Sequence, residues 1–350
     1  MNFSDRILSW YHIHKRELPW RETRDPYRVW LSEIMLQQTR VAQGLPYYIK
    51  FTERFPKVED LAAASEEEVL KLWQGLGYYS RARNLHATSR AVSSEYGGHF
   101  PDSYRELLKL KGIGPYTAAA IASICYSLPH PVVDGNVYRV LSRFFGVQLP
   151  INSTEGIRYF SDLAAEVIDM ERPGEYNQGL MEFGALQCVP QNPDCQACPL
   201  SGSCEAFARG LVSVLPRKLP KKKVRERIFN YLMPVDPNFQ TRLTKRKDKG
   251  IWQGLFEFPL IETPEEVSDA KIRDLIKTEG SEDLSDPQSV VRFNAKPLVH
   301  KLSHQHLHVT FWILHLEDPL DHSVSISEMH SYPVPVLIAN FMETVKNSYF

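Results

Sequence analysis

Four cysteines constrain this chain more than any other feature. Cys188, Cys195, Cys198 and Cys204 form a C-x6-C-x2-C-x5-C array within 17 of its 350 residues. A fifth, Cys125, lies apart in the apolar run AAAIASICYS and reads as a core residue. Four soft thiolate donors at this spacing suit a zinc ion or an iron–sulfur cluster. Zinc sites favour paired C-x2-C units, and the single such unit here leans towards a cluster. The N-terminal residues lack a basic region followed by an apolar one, so a secretory signal and a disulfide framework are not expected.

Around the array the chain reads as two folded parts. Hydrophobic residues at 43% and charged residues at 24% describe a globular protein long enough for two domains. No apolar run approaches the roughly 18 residues of a membrane span. Residues 1–210 are expected to be all-α. Ser4 precedes a helix at DRILSWYHIHK, Asp25-Pro26 places a capping carboxylate ahead of a first-turn proline, and Ser65 with Glu68 forms a capping-box pattern. Residues 211–227 hold two prolines and seven basic side chains and read as a linker, either a solvated tether or a strap for phosphates. From residue 228 the texture becomes α+β. IFNYLMPV, LFEFPLIE and QHLHVTFWILHLE suit strands, the last with Leu307, Val309, Phe311 and Ile313 alternating against His306, His308, Thr310 and Trp312. PEEVSDAKIRDLIKTEG and VPVLIANFMETV suit helices.

The formal net charge of −1 by itself argues against a nucleic-acid binder, but it is unevenly spread. Residues 1–215 carry 22 basic and 24 acidic side chains, residues 216–249 carry 12 and 3, and residues 250–350 carry 7 and 15. A strongly basic segment, including Lys221, Lys222 and Lys223, therefore joins two acidic regions.

Three further patterns carry chemistry. In LKGIGPYTAAAIAS, Gly112 and Gly114 bracket a turn between helices, where uncovered N–H groups suit a phosphate. Asp134 in VVDGNVYRVLSRFF reads as an N-cap, and the same donors would hold it as an anion able to stabilise a developing cation. Glu33, beside Ile34, Met35 and Leu36, is either a surface residue or, in an apolar pocket, a general acid of raised pKa. One carboxylic acid and one carboxylate flanking a bond is an arrangement for cleaving a glycosidic link.

Together LPWR at 18–21, SEIMLQQTR at 32–40, GLGYYSRARNLH at 75–86, LKGIGPYTA at 110–118, VDGNVYRVLSR at 133–143 and the four cysteines resemble the MutY-type adenine DNA glycosylases of the helix-hairpin-helix superfamily, which includes endonuclease III. The resemblance implies a helix-hairpin-helix glycosylase domain over 1–210, with a six-helix-barrel module at about 22–130 and an iron–sulfur module formed by 1–21 plus 131–210. It implies a [4Fe–4S] cluster on the four cysteines, and duplex DNA holding A opposite 8-oxoguanine or G as the substrate. Glu33 falls on the general acid that protonates adenine N7 and activates water, Asp134 on the carboxylate facing the oxocarbenium-like sugar, and Tyr116 on a tyrosine near that sugar. Gln38 and Tyr78 match side chains inserted into the duplex, while Lys111, Gly112 and Gly114 belong to the DNA-binding hairpin. Trp20, Arg21 and Glu182 match the adenine pocket, although Trp20 also suits a core and Arg21 with Glu182 an ion pair.

Gly114-Pro115-Tyr116 carries no lysine where the endonuclease III branch forms a Schiff base, so a monofunctional glycosylase is expected, with Lys111 as a source of weak strand cleavage. Residues 228–350 resemble the family's Nudix-like domain without the carboxylate cluster of Nudix hydrolases, which implies recognition rather than nucleotide hydrolysis. Leu302-Ser303-His304 matches the Phe-Ser-His loop that senses 8-oxoguanine, with leucine replacing the aromatic residue. His300, His304, His306 and His308 read as a polar, DNA-facing edge in preference to a metal site. A monomer without membrane association, in a bacterial cytoplasm and close to the nucleoid, is the expected setting. No docking segment for a sliding clamp or mismatch-repair protein is legible.

Overall fold

The computed structural model describes residues 2–220 and 224–349. Lys221, Lys222 and Lys223, at the centre of the basic segment, lie outside the described residues. Helices fill the first part of the chain: α1 Phe3–His14, α2 Pro26–Leu36, α3 Val41–Arg54, α4 Val58–Ala63, α5 Glu66–Leu72, α6 Tyr79–Glu95, α7 Tyr104–Leu107, α8 Pro115–Tyr126, α9 Gly135–Phe144, α10 Thr154–Glu166, α11 Pro173–Leu186 and α12 Glu205–Ala208.

Local chemistry sets most helix starts. Asp25 accepts a hydrogen bond from the Tyr27 N–H at 3.0 Å with Pro26 at the first helical position, and the Ser65 hydroxyl accepts from the Glu68 N–H at 3.1 Å. Ser4 does not cap α1. Asn2 does, because its side chain accepts from Asp5 N while Asp5 accepts from Asn2 N, so two end donors are satisfied together. Ser4 sits in the first turn and donates to Asn2 Oδ1 at 2.9 Å.

The chain divides into two compact units, one of Met1–Ala63 with Asn84–Lys221, the other of Ala64–Arg83 with Lys222–Phe350. In the first, α1 returns to pack Ile7, Leu8 and Tyr11 among Val140, Phe160, Leu180 and Phe183 of α9, α10 and α11. A second cluster joins Val29 of α2 to Ala119, Ala120 and Ile124 of α8 and to Val132, with Tyr116 and Met181 against it. Residues after the cysteine array stay on this unit: Ile151 N donates to Arg217 O at 3.0 Å and Leu219 N to Asn152 Oδ1 at 2.7 Å.

The second unit holds β1 Arg225–Val235, β2 Gln240–Thr241, β3 Thr244–Lys245, β4 Phe256–Glu257, β5 Leu260–Thr263, α13 Asp269–Glu279, β6 Ser289–Arg292, β7 Leu298–Lys301, β8 Gln305–His315, β9 Val324–Ser325 and α14 Val336–Tyr349. Its main sheet runs β5-β1-β8-β6, with β7 also on β8; β1 and β8 are parallel and the other pairs antiparallel. LFEFPLIE is two strands rather than one, β4 and β5, divided at Phe258-Pro259. A proline supplies no ladder N–H, which accounts for the break. The alternation in β8 holds at His306 and His308, but Thr310, Trp312 and Leu314 are as buried as Phe311 and Ile313. A helix covers each face there: Ile272 and Ile276 of α13 pack with Trp312, and Phe341 of α14 stacks on Phe311 at 3.9 Å.

Candidate active site

Glu33 occupies α2, a helix buried almost all round: Tyr27 and every residue from Val29 to Met35 are buried. Val29 packs on α8, and Glu33, one turn further on, projects from the same face. The surface reading of Glu33 is therefore wrong. The residue is 8% exposed, and burial lifts its carboxyl from the ordinary value to about 7. A hydrogen bond with Tyr116 pulls the other way, the Asp134 charge adds to the rise, and Arg21 opposes it. Enclosure of this one group thus withholds about 3 kcal/mol of stability where it is ionised.

Tyr116, in the first turn of α8, places its hydroxyl 3.3 Å from Met181 Sδ, and burial raises its pKa. Asp134 caps α9: Oδ1 accepts from the Asn136 and Val137 N–H groups at 2.8 Å each, and Oδ2 from Asn136 Nδ2 at 2.8 Å. Burial nevertheless raises this carboxyl, against those bonds and Arg139, so the capping donors do not set its acidity alone. Glu33 on α2 and Tyr116 on α8 influence each other's titration, and the charge of Asp134, at the start of α9, raises both. Asn136 was not singled out in the sequence, although an amide two residues after a capping aspartate is a readable signal.

Glu182 on α11 is 1% exposed and accepts five hydrogen bonds: from Arg16 N, Nε and Nη2, and from Arg21 Nη1 and Nη2, all at 2.6–3.0 Å. Burial works against the charge, yet the two arginines hold its carboxyl at about 2. The pair foreseen between Arg21 and Glu182 is thus a triad, and Arg16 was missed because nothing distinguishes it from its basic neighbours. Trp20 is buried with its ring edge-on to Tyr48 at 5.0 Å.

In the hairpin before α8, only Gly112 has a left-handed backbone, φ +80°, and a Cβ there would lie 2.7 Å from Asn84 Cβ. Gly114 is extended and caps α8, and a Cβ there would meet nothing within 4 Å. The turn therefore needs one glycine for its backbone, while the other leaves the helix start uncovered. Lys111 is exposed and its carbonyl accepts from the Thr88 hydroxyl. Gln38, just past α2, is exposed with φ +56°.

The four array cysteines line one pocket together with Val140, Phe183 and Leu200. Among the described residues no group of three His, Cys, Asp or Glu side chains could hold a single metal ion. Arg143, 3% exposed, ties the loop down, donating to Cys188 Sγ at 3.4 Å, Val189 O at 2.7 Å and Pro190 O at 3.0 Å.

In the second unit, Tyr78 is 46% exposed with φ +49°. Ser303 and His304 occupy the exposed β7–β8 turn, with Ser303 Oγ 3.3 Å from His304 Nδ1. His306 and His308 converge on one carboxylate. Both meet Glu226 of β1, at 3.0 and 2.8 Å. His300 instead lies against the Trp252 ring.

Two stretches of the chain match recognised classes. Residues 31–159 match the HhH-GPD superfamily of base excision DNA repair proteins, and residues 231–344 match the NUDIX domain. The helical fold is similar to a thermostable thymine-DNA glycosylase, with TM-score 0.55 and 31% identity over 59% of this chain and 95% of that one. An endonuclease III trapped on DNA shares the fold at TM-score 0.52 and 23% identity, over 59% of this chain and 95% of that one.

Two relatives carry the assignment further. The adenine DNA glycosylase of Buchnera aphidicola subsp. Baizongia pistaciae is 38% identical over 262 residues, 73% of each chain. That of Mus musculus is 46% identical over 226 residues, 61% of this chain and 44% of its own. The chain belongs to the adenine DNA glycosylase family.

Proposed function

We propose that this enzyme removes adenine from duplex DNA where it faces 8-oxoguanine or guanine, acting as a monomer and without a covalent enzyme–sugar intermediate. The observation that carries the reading is the grouping of Glu33, Tyr116 and Asp134, with Glu33 raised to about 7. A carboxyl poised near neutrality can give up a proton and take one back. Glu33 donates its proton to adenine N7, and the C1′–N9 bond then breaks with its electrons leaving on the base. Positive charge develops at C1′, where Asp134 is the stabilising anion. Water adds to C1′ and its proton returns to Glu33. Tyr116 holds Glu33 in place.

The adenine leaves the stack before this happens, at a cost of a few kcal/mol. Gln38 and Tyr78 are the side chains inserted into the gap. Their left-handed φ angles support this role, since non-glycine residues in that region gather at functional sites. Lys111, Gly112 and Gly114 hold the backbone. Trp20 and Arg21 line the adenine pocket, with Glu182 fixing Arg21, because its own oxygens are already engaged. Ser303 and His304 read the opposite base.

Cys188, Cys195, Cys198 and Cys204 would hold a [4Fe–4S] cluster. The donor set fits: four thiols, soft ligands of the kind such clusters take, line one pocket together with apolar side chains. When bound, the cluster supplies a rigid cross-link for the loop that Arg143 also ties.

Duplexes holding A opposite 8-oxoguanine, G or T, treated with alkali after incubation, test the activity. Cleavage of the first two strands only is expected, and no product from any duplex refutes it. Strong covalent trapping by borohydride would overturn the hydrolytic route.

A further inference from the structure

Residues 64–83 belong, by packing, with the mixed-sheet unit. They comprise α5, the turn Trp73–Tyr78 and the start of α6, and they carry Tyr78. The turn is braced from within. Gly75, Gly77 and Tyr78 all have positive φ, Trp73 Nε1 donates to Gly77 O at 3.0 Å, and the Arg81 guanidinium lies over both the Trp73 and Tyr78 rings at 5.2 and 5.4 Å. A turn so tied moves as one piece with α5.

Several side chains then fasten that piece to the C-terminal part of the same unit, Tyr79 among them through its hydroxyl to Val334 O. Lys71 Nζ donates to the His330 and Tyr332 carbonyls and to Gln74 Oε1. Gln74 Oε1 in turn accepts from Val334 N at 3.3 Å. Arg83 donates to the Gln253 carbonyl, and Lys245 pairs with Glu67 at 3.1 Å. At Gly254, φ +85°, a Cβ would lie 3.1 Å from Glu66 Oε1 and 3.3 Å from Leu70 Cδ1, so that loop runs close against α5. Lys71 is half-buried, and its ammonium spans two carbonyls and the turn residue Gln74 together.

We infer that Lys71 is a positioning residue through which the C-terminal unit, the one bearing Ser303, sets the placement of Tyr78 in the duplex. The inference rests on the reading that Tyr78 enters the base stack. It makes the lesion-sensing unit the owner of one of the two inserted side chains. Recognition of 8-oxoguanine and displacement of its neighbours then share one rigid part.

The test uses the full chain and a duplex with 2-aminopurine next to 8-oxoguanine, whose fluorescence reports local unstacking. Single-turnover adenine release opposite 8-oxoguanine and opposite G is followed in parallel. Lys71→Met keeps the aliphatic stem, and it should weaken the fluorescence change and the preference for 8-oxoguanine by about threefold to tenfold. Tyr78→Ala should do the same, the double variant should be no worse than Tyr78→Ala, and Lys71→Arg should restore much of the signal. If Lys71→Met does not fold, Arg83→Met removes a second tie and is read identically. A fluorescence change altered by Tyr78→Ala but not by either tie variant overturns the inference, as does simple additivity in the double variant. No response to Tyr78→Ala refutes instead the reading of Tyr78 on which the inference stands.

Discussion

Glu33 and Ser303 are both polar side chains read as meeting a purine, yet α2 and α8 enclose one while the other rides an exposed hairpin turn. The enclosed group has its acidity set by its surroundings. Burial raises it, and Tyr116, Asp134 and Arg21 adjust it. The exposed group has a histidine neighbour and open solvent, so on the proposed reading its contribution would be limited to hydrogen bonds to a bound base. Chemistry that moves a proton needs the first kind of environment, whereas discrimination between two bases can use the second.

The largest effect should come from Glu33→Gln, which keeps the shape and removes the titrating proton. Adenine release is expected to fall by about 10²–10⁴-fold in single-turnover kinetics with mispair binding retained. A loss of less than tenfold would remove Glu33 from the chemistry.

Next comes Glu182→Ala. Removing the shared acceptor leaves Arg16 and Arg21 without their partner, for an expected loss of about 3–5 kcal/mol in urea unfolding. Because the folded carboxyl is held at about 2, its contribution is present above the ordinary value of 4.5 and lost as pH falls from there towards 2. Glu182→Gln should flatten that acid limb of the stability curve.

The same measurement on Glu33→Gln should have the opposite sign. The folded carboxyl sits at about 7 against an ordinary 4.5, so the wild type is penalised increasingly as pH rises from 4.5 to 7 and fully above it. The variant should gain about 3 kcal/mol at pH 8 and nothing at pH 4. Equal stability at pH 8 would mean that the pocket is wetter than its packing indicates.

The smallest effect belongs to Ser303→Ala. Loss of about one hydrogen bond should erode the preference for 8-oxoguanine over G by roughly threefold to tenfold without moving the unfolding midpoint. A stability change of the size expected for Glu182→Ala would instead make Ser303 part of the fold.

Much of this contrast was legible in residue order. The Asp25-Pro26 and Ser65 caps, the strand at QHLHVTFWILHLE and the helix over α13 depend on neighbours within a few positions, and local signals report them. The start of α1 was misread because Asn2 and Asp5 satisfy each other, a reciprocal bond that outweighs a lone Ser4. The pairing of His306 and His308 with Glu226 was not legible, because Glu226 lies about 80 residues away in sequence on the parallel strand. Arg16 was invisible for the same reason, as its acceptor is 166 positions distant.

By itself the sequence determined which donors and acids exist: four thiols in one short loop, a capping aspartate, a glutamate within an apolar helix and a glycine where the backbone turns left-handed. Those follow from covalent order and short-range sterics. Only the tertiary structure decided that Glu33 is enclosed and therefore near neutral, that Glu182 is saturated by two arginines, and that residues 64–83 belong with the C-terminal unit. Burial and ion pairing are set by which distant segments meet, and spacing along the chain does not encode that distance.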